Sequence, residues 1–294
     1  MGTEQIKIWG ILIISHLDMN LEKIPSEVES SESTLIGKGF NPERSMGALS
    51  WFSVMNNISE IFSNPEFKES IESGKYNLLI ADDASGRVPA LIFRKIINEI
   101  YAENKLQSPK VLFIPGQTRS LDENISKKIS NHINKYLENV HLPQTETKAL
   151  VITNTISTGK TMEILSDALT KSGIDCDIAA TSLEVPAKRT QERKEELEGR
   201  LSRKIYTATN DETSLSTMMN HKHYSHGVAK NPGDMVSTKV TGVQDYINEA
   251  RKMVDKISEE IIRQTHSVEP APTNEERFNN NIHFVHKYWS FSDE

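Results

Sequence analysis

The sequence predicts a three-layer α/β fold with a mostly parallel sheet. Short apolar runs typical of buried strands recur between residues 76 and 180, and amphipathic helix patterns follow most of them. Strands that alternate with helices in this way form a parallel sheet with helices on both faces. A length of 294 residues, 36% of them hydrophobic and 26% charged, is typical of a globular chain with a sizeable core.

The predicted elements divide the chain into three parts. Strands are expected over residues 76–81, 110–114, 148–153 and 175–180, and helices over 88–104, 122–140 and 159–172. Further helices are expected over 49–62, 186–204 and 243–262. We therefore assign the α/β core to 76–185, with an N-terminal addition over 1–75 and a helical C-terminal extension with a long polar loop over 186–294.

Charge and cysteine content narrow the function classes. The chain has 34 Lys and Arg against 41 Asp and Glu, a net charge of -7. General nucleic-acid binding needs a dominant basic surface, so this balance argues against it. The single cysteine, Cys176, cannot form an internal disulfide and is expected as a small buried side chain. The apolar run Ile8–Ile14 is too short to cross a bilayer, so we predict a strand there, no membrane partner and a cytoplasmic protein.

The most informative segment begins at Ala149, where an apolar strand leads through a short polar loop into a helix. Ser157, Thr158 and Thr161 offer hydroxyls at this helix N-terminus, where unpaired N–H groups and the helix dipole favour anions. Gly159 lets the backbone approach a phosphate with no side chain in the way. The segment therefore predicts a phosphate-binding loop.

This segment resembles the phosphoribosyl pyrophosphate motif of type I phosphoribosyltransferases, in which a hydrophobic strand, two acidic residues and a few loop residues precede Thr-Gly-x-Thr. The run Thr158-Gly159-Lys160-Thr161 matches the second half of that pattern. The resemblance implies a three-layer sheet of the type I phosphoribosyltransferase kind. It also implies that one loop holds the ribose 5′-phosphate: Ile156, Ser157, Thr158, Gly159, Lys160 and Thr161.

The acidic pair of the motif falls on Thr153 and Asn154. In the family, those carboxylates hold the ribose 2′- and 3′-hydroxyls. Thr153 and Asn154 can also hydrogen-bond hydroxyls, but they carry no charge to complement a developing oxocarbenium ion. Ser157 stands where purine-transferring relatives often have an aspartate as general base, and serine is a poor base unaided. These departures weaken the prediction of transfer more than that of phosphate binding.

A second strand–loop–helix segment, residues 77–90, resembles the pyrophosphate loop of the same family. Ser85 and Gly86 would expose backbone amides to the anion, and the fork of Arg87 matches two phosphate oxygens. Asp82 and Asp83 are predicted to bind Mg²⁺, which favours carboxylates together with ligand phosphates. The alternative is an ordinary helix N-terminus on which these polar side chains serve as caps.

Two further features have less specific patterns. Arg119 follows the strand at 110–114 and is predicted to reach pyrophosphate, with a plain surface loop as an equal alternative. His221, His223 and His226 cluster in the long polar loop. Their spacing matches no closed zinc pattern, so a polar loop is favoured over a metal site, with a pocket-closing loop as the other alternative.

Three functions remain open on the sequence. The first is a glycosyltransferase that moves phosphoribosyl from phosphoribosyl pyrophosphate to an unknown acceptor. The second is a non-catalytic ligand-binding or regulatory module on the same fold, which the residues Thr153 and Asn154 favour. The third is a P-loop nucleotidase, because residues 154–161 miss the Walker A pattern only at its first glycine, where Asn154 stands. It is the least favoured, because at least two strand–helix units precede this loop and the strand at 178–182 ends in no carboxylate for magnesium. The predicted partner is a small ribose phosphate, and a homodimer is left open.

Overall fold

The structure is a computed structural model that describes residues 42–82, 86–114, 124–185, 187–208, 228–229, 238–239 and 244–266. The chain divides into two compact units, residues 1–48 and 49–294. Apart from the first turns of one helix, the residues described here belong to the second unit.

Seven helices and seven strands are described. The helices are α1 Pro42–Ser63, α2 Pro65–Glu72, α3 Arg87–Glu103, α4 Ile125–Val140, α5 Lys160–Lys171, α6 Thr190–Leu201 and α7 Gln244–His266. The strands are β1 Leu78–Asp82, β2 Lys110–Ile114, β3 Lys148–Ile156, β4 Asp175–Leu183, β5 Ile205–Thr207, β6 Val228–Ala229 and β7 Thr238–Lys239. Short 3₁₀ turns occupy Gln144–Glu146 and Ala187–Arg189.

A five-stranded sheet of order β2-β1-β3-β4-β5 forms the centre of the fold. Every neighbouring pair in it is parallel. Strand β1 is fully buried, as expected for a strand covered on both faces. The predicted α/β class with a parallel sheet is therefore confirmed. Strands β6 and β7 form a separate antiparallel pair.

Helices cover both faces of the sheet and define two cores. We call layer A the helices α1, α2, α3 and α7, and layer B the helices α4, α5 and α6. Side chains alternate between the layers along β1, which directs Leu79 to layer A and Ile80 to layer B. Layer A buries Val54, Ile58, Phe67, Phe93, Ile97 and Ile257. Layer B buries Ile129, Ile133, Met162, Leu165, Leu197 and Leu201.

A buried polar network lies at the amino edge of the sheet. The Tyr76 hydroxyl donates to Asp177 at 2.6 Å, and the Lys75 ammonium lies 2.6 Å from the same carboxylate. The Tyr101 hydroxyl donates to the Tyr76 carbonyl at 2.8 Å. Burial, reinforced by Asp177, raises the pKa of Tyr76 far above its ordinary value, so it remains a neutral donor. These bonds tie the start of β1 to the start of β4.

The observed elements differ from the predicted ones mainly at the carboxyl edge. Strand β3 was predicted to end at Thr153 but continues to Ile156, and β4 continues to Leu183 instead of Ala180. The added residues extend the parallel ladder, in which Thr155 pairs with Ser182. Because these residues are mostly polar, the apolar pattern ends before the strand does.

Helix α2 and strand β5 are among the short elements that the sequence did not predict. Helix α2 begins with Asn64 as N-cap, whose side chain accepts from the Phe67 amide at 3.1 Å, and Pro65 occupies the first helical position. Strand β5 is three residues long and pairs with β4, so the sheet includes residues beyond 185. A run of this length has no periodicity to detect.

Cys176 lies in β4 and is free and buried, as predicted. Burial raises the pKa of its thiol to about 11. It is therefore protonated at neutral pH and unreactive in the folded protein.

Several sequence predictions lie outside the described residues: the strand at Ile8–Ile14, Asp83, Ser85, Arg119, and the cluster of His221, His223 and His226. Within the described ranges, no helix has the length and apolar character needed to cross a membrane.

Replacing Phe67 with alanine tests the packing of layer A. Its fully buried ring lies 5.2 Å from Phe62, 6.1 Å from Phe93 and 4.8 Å from Tyr206, measured between centroids. We expect Phe67→Ala to lower the free energy of unfolding by about 3–5 kcal/mol, because it removes the ring and leaves a cavity. Urea denaturation measures this value.

The neighbouring Lys68→Ala is the matched control. The Lys68 side chain is 49% exposed and its contact with Glu72 is 3.8 Å long. We expect a change of less than about 1 kcal/mol for this variant. Equal losses for the two variants would contradict the packing described for layer A.

Candidate functional site

The carboxyl edge of the sheet has its topological switch point between β1 and β3. Strand β1 pairs with β2 on one side and β3 on the other. Helix α3, which follows β1, packs in layer A, whereas α5, which follows β3, packs in layer B. The two connections therefore leave the sheet toward opposite faces, and such a switch point is where parallel α/β sheets usually bind ligands. Both predicted phosphate-binding segments begin at this edge.

Gly86, which follows β1 and precedes α3, packs closely against the backbone of β1 and β3. The Gly86 amide donates to the Asp82 carbonyl at 2.7 Å. A Cβ at Gly86 would lie 2.7 Å from the carbonyl oxygens of both Asp82 and Ile152, which is closer than a side chain allows. Gly86 is therefore needed for the close approach of this turn to β1 and β3. Because Ile152 belongs to β3, the contact brings the two predicted segments to one place.

The loop from β3 to α5 consists of residues 157–159. The Ser157 and Thr158 side chains are exposed, and the Lys160 amide lies 3.4 Å from the Thr158 hydroxyl. Gly159 precedes the helix with a φ of 83°, in the left-handed region that favours glycine. As at any helix start, the first-turn amides have no intrahelical acceptor and are available to an anion.

Helix α6 holds this loop from the layer B side. Arg193 donates to the Ser157 carbonyl at 2.8 Å, and Arg200 donates to the Thr158 carbonyl. A Cβ at Gly159 would lie 2.3 Å from Arg200 Nη2 and 2.8 Å from a Leu197 methyl carbon. Gly159 is therefore favoured by its φ, and the flexible ends of the Arg200 and Leu197 side chains pack against it.

The two guanidinium groups are neutralised by carboxylates. Arg200 Nε lies 2.8 Å from Glu163 on α5 and Arg200 Nη1 lies 3.5 Å from Glu196. Arg193 also pairs with Glu196, and this hydrogen bond holds the pKa of Glu196 below its ordinary value. Because the charges of these arginines are compensated locally, we assign them a role in orienting the loop. Lys160, which begins α5 directly after the loop, is an exposed cation.

Thr153 and Asn154, at the positions of the acidic pair, are buried in β3. The Thr181 hydroxyl on β4 lies within hydrogen-bond distance of the Asn154 side-chain carbonyl, at 2.8 Å, and also of its main-chain carbonyl. These contacts fit neutral side chains. The arrangement therefore supplies hydrogen bonds near the crevice without a negative charge.

Arg87 begins α3 at the ends of β1 and β2. Its guanidinium lies 4.4 Å from the centroid of the Phe113 ring on β2, a cation–π contact. The Phe113 ring thus lies beside the Arg87 guanidinium, whose N–H donors lie in the plane of that group. Arg87 is at the predicted edge of the sheet, and Phe113 is a contact that the sequence pattern does not reveal.

The predicted Mg²⁺ ligands are described only in part. Asp82 is buried at the end of β1, and Asp83 lies outside the described residues. Among the residues that the structure describes, no group of three or more potential metal ligands comes together. Asp82 alone does not form such a site, so we assign no step to magnesium.

The β3–α5 connection does not have P-loop geometry. In a Walker A sequence, the residues between the first glycine and the lysine wrap around the phosphates. Here Thr155 and Ile156 remain in β3 and pair with Ser182 and Leu183. Only residues 157–159 are left as a loop, so the nucleotidase alternative loses its structural basis.

Sequence reasoning missed the contribution of α6. This segment was predicted as a solvated helix with opposite-charge pairs, and the pairing of Arg193 with Glu196 is present. However, Leu197 is fully buried and Arg200 contacts the phosphate-binding loop. The apolar residues Leu197 and Leu201, at i and i+4, indicate a packed face on this helix, whereas the arginine contacts leave no such pattern.

Known proteins provide no relative. No family model, no curated protein and no solved structure matches the chain. The resemblance to phosphoribosyltransferases therefore stands on the two strand–loop–helix segments at 77–90 and 149–161.

Three glycine-to-alanine variants test the fit of the loop. Gly159 combines positive φ with a close approach to α6, Gly173 has a φ of 69° in open space, and Gly199 has open space without positive φ. Gly173→Ala should lower the free energy of unfolding by about 1–2 kcal/mol, through the left-handed conformation alone. Gly159→Ala should lower it by up to about 1 kcal/mol more, because the ends of the Arg200 and Leu197 side chains must also move.

Gly199→Ala is the control and should be neutral or stabilising by about 0.5–1 kcal/mol, because alanine is the better helix former. Urea denaturation of the three variants gives the comparison. If Gly159→Ala were no more destabilising than Gly173→Ala, the packing of the loop against α6 would be wrong.

Proposed function

We propose that this protein binds the phosphate of a ribose phosphate, such as phosphoribosyl pyrophosphate or ribose 5-phosphate, at the β3–α5 loop. The phosphate lies against the first-turn amides of α5 and the hydroxyls of Ser157, Thr158 and Thr161. Lys160 supplies positive charge. The ribose extends toward the crevice between β1 and β3.

The observation that carries this proposal is the meeting of the two segments at the switch point. Gly86 of the first segment approaches the Ile152 carbonyl in β3, the strand that leads into the second. A ligand with phosphates on both sides of a ribose needs two anion-binding loops at the same edge of the sheet. Crevices at switch points are the usual ligand sites of parallel α/β sheets. Arg87, at the first helical position of α3, is suited to the pyrophosphate end.

Binding without transfer is the second candidate, and the surroundings of Asn154 favour it. Its side chain is buried and engaged by the Thr181 hydroxyl, so β3 brings no carboxylate to the ribose at the position where the resembling family has one. Phosphoribosyl transfer develops positive charge on the ribose, and preorganised negative charge is the usual means of stabilising it. A ribose-phosphate sensor or regulatory module needs only the hydrogen bonds.

Isothermal titration calorimetry with phosphoribosyl pyrophosphate, ribose 5-phosphate, ribose and ATP tests the ligand class. We expect ribose 5-phosphate and phosphoribosyl pyrophosphate to bind, and ribose lacking phosphate not to bind. Assays for pyrophosphate release with a panel of bases separate transfer from binding alone. Tight binding of ATP without binding of ribose 5-phosphate would overturn the proposal.

Lys160→Ala tests the contribution of the loop cation. We expect affinity for ribose 5-phosphate to fall about fivefold, since one exposed charge contributes up to about 1 kcal/mol. Lys171→Ala is the matched control, because Lys171 is an exposed lysine at the opposite end of the same helix, paired with Asp167. Equal effects of the two variants would show that general charge, and not the loop, determines affinity.

A further inference from the structure

Arg193 and Arg200 contact consecutive peptide groups of the loop. Arg193 Nη2 lies 2.8 Å from the Ser157 carbonyl oxygen, and Arg200 Nη2 donates to the next carbonyl, that of Thr158. Both arginines come from α6, one on each side of the buried Leu197. The loop is thus held at two adjacent points by one helix face.

Because the peptide bond is planar, these contacts with the carbonyl oxygens also fix the direction of the N–H groups in the same peptide units. In a trans peptide unit, the carbonyl and the N–H of the following residue point in opposite directions. Because the Ser157 and Thr158 carbonyls point to α6, the N–H groups of Thr158 and Gly159 point away from it. A loop free to rotate these two peptide units would present carbonyl oxygens in place of N–H groups, and an anion would be repelled.

Arg200 also fixes the loop relative to α5. Its Nε lies 2.8 Å from Glu163, in the first turns of the helix whose N-terminus the loop precedes. One planar guanidinium therefore spans the loop and the helix, a geometry that a lysine ammonium cannot reproduce. The Arg193 side chain is only 19% exposed, so its contact is partly shielded from water.

We infer that Arg193 and Arg200 are positioning residues that clamp residues 157–159, so that the amides of Thr158 and Gly159 face away from α6 and toward an anion. The clamp itself is a property of the free protein, and its consequence for phosphate rests on the proposed function. Neither arginine is placed against the anion, because both approach the loop from the α6 side, opposite to the amides of Thr158 and Gly159. Movement of α6 would accordingly change anion affinity without any change in the loop sequence.

Backbone order parameters from nuclear magnetic resonance test the clamp without a ligand. In the wild type, the N–H vectors of Thr158 and Gly159 should be rigid, with values near about 0.85, and in Arg193→Gln and Arg200→Gln they should fall toward about 0.6. Arg263→Gln is the control, because Arg263 is an exposed arginine that pairs with Glu260 on α7, in the layer on the other face of the sheet. Unchanged order parameters in both loop variants would overturn the inference.

Calorimetry with inorganic phosphate tests the consequence. The two glutamine variants should bind phosphate about tenfold more weakly, and Arg263→Gln should bind it as the wild type does. Arg200→Lys should recover part of the loss. Thermal unfolding midpoints identify any variant that fails to fold, in which case the lysine variants of both positions replace it.

The two measurements separate two kinds of failure. Loss of order with unchanged phosphate affinity would contradict a positioning role for these arginines. Loss of order in the variants, together with no phosphate binding by the wild type, would support the clamp and overturn the proposed function instead.

Discussion

The parallel pairing of β1 with β3 is the constraint on which the rest of the structure depends. It places β2 on one side of the sheet and β4 and β5 on the other, and it sends the helices that follow β1 and β3 to opposite faces. A crevice at the carboxyl ends of these two strands follows from the chain topology. The buried network around Tyr76 closes the opposite edge.

The contacts around the β3–α5 loop show how a short segment acquires a defined shape. Three loop residues have too few bonds of their own to fix the orientation of each peptide group. Helix α6 supplies the missing contacts, through guanidinium donors to two carbonyls and through Leu197 against Gly159. Glu163 and Glu196 compensate the charges that this brings. The loop, α5 and α6 are consequently one structural unit.

Structural features that arise from local sequence patterns were predictable, and features that arise from contacts between distant segments were not. Apolar runs and helical periodicity predicted the sheet and most helices, because each of these signals is local. The ends of β3 and β4 were not predictable, since Thr155 and Ser182 are strand residues only through their pairing with each other's strand. The loop was located by Thr158 and Gly159, but its fixation by Arg200 depends on a contact between distant segments. Contacts of that kind leave no pattern within a single window of sequence.

The central claim is that the carboxyl edge of this sheet receives a phosphate at the start of α5. A crystal structure of the protein with ribose 5-phosphate tests this most directly. We expect phosphate oxygens within hydrogen-bond distance of the amides of residues 158–161, with the ribose directed toward Gly86. A phosphate bound on another surface, or a Thr158 carbonyl turned toward the crevice, would contradict it.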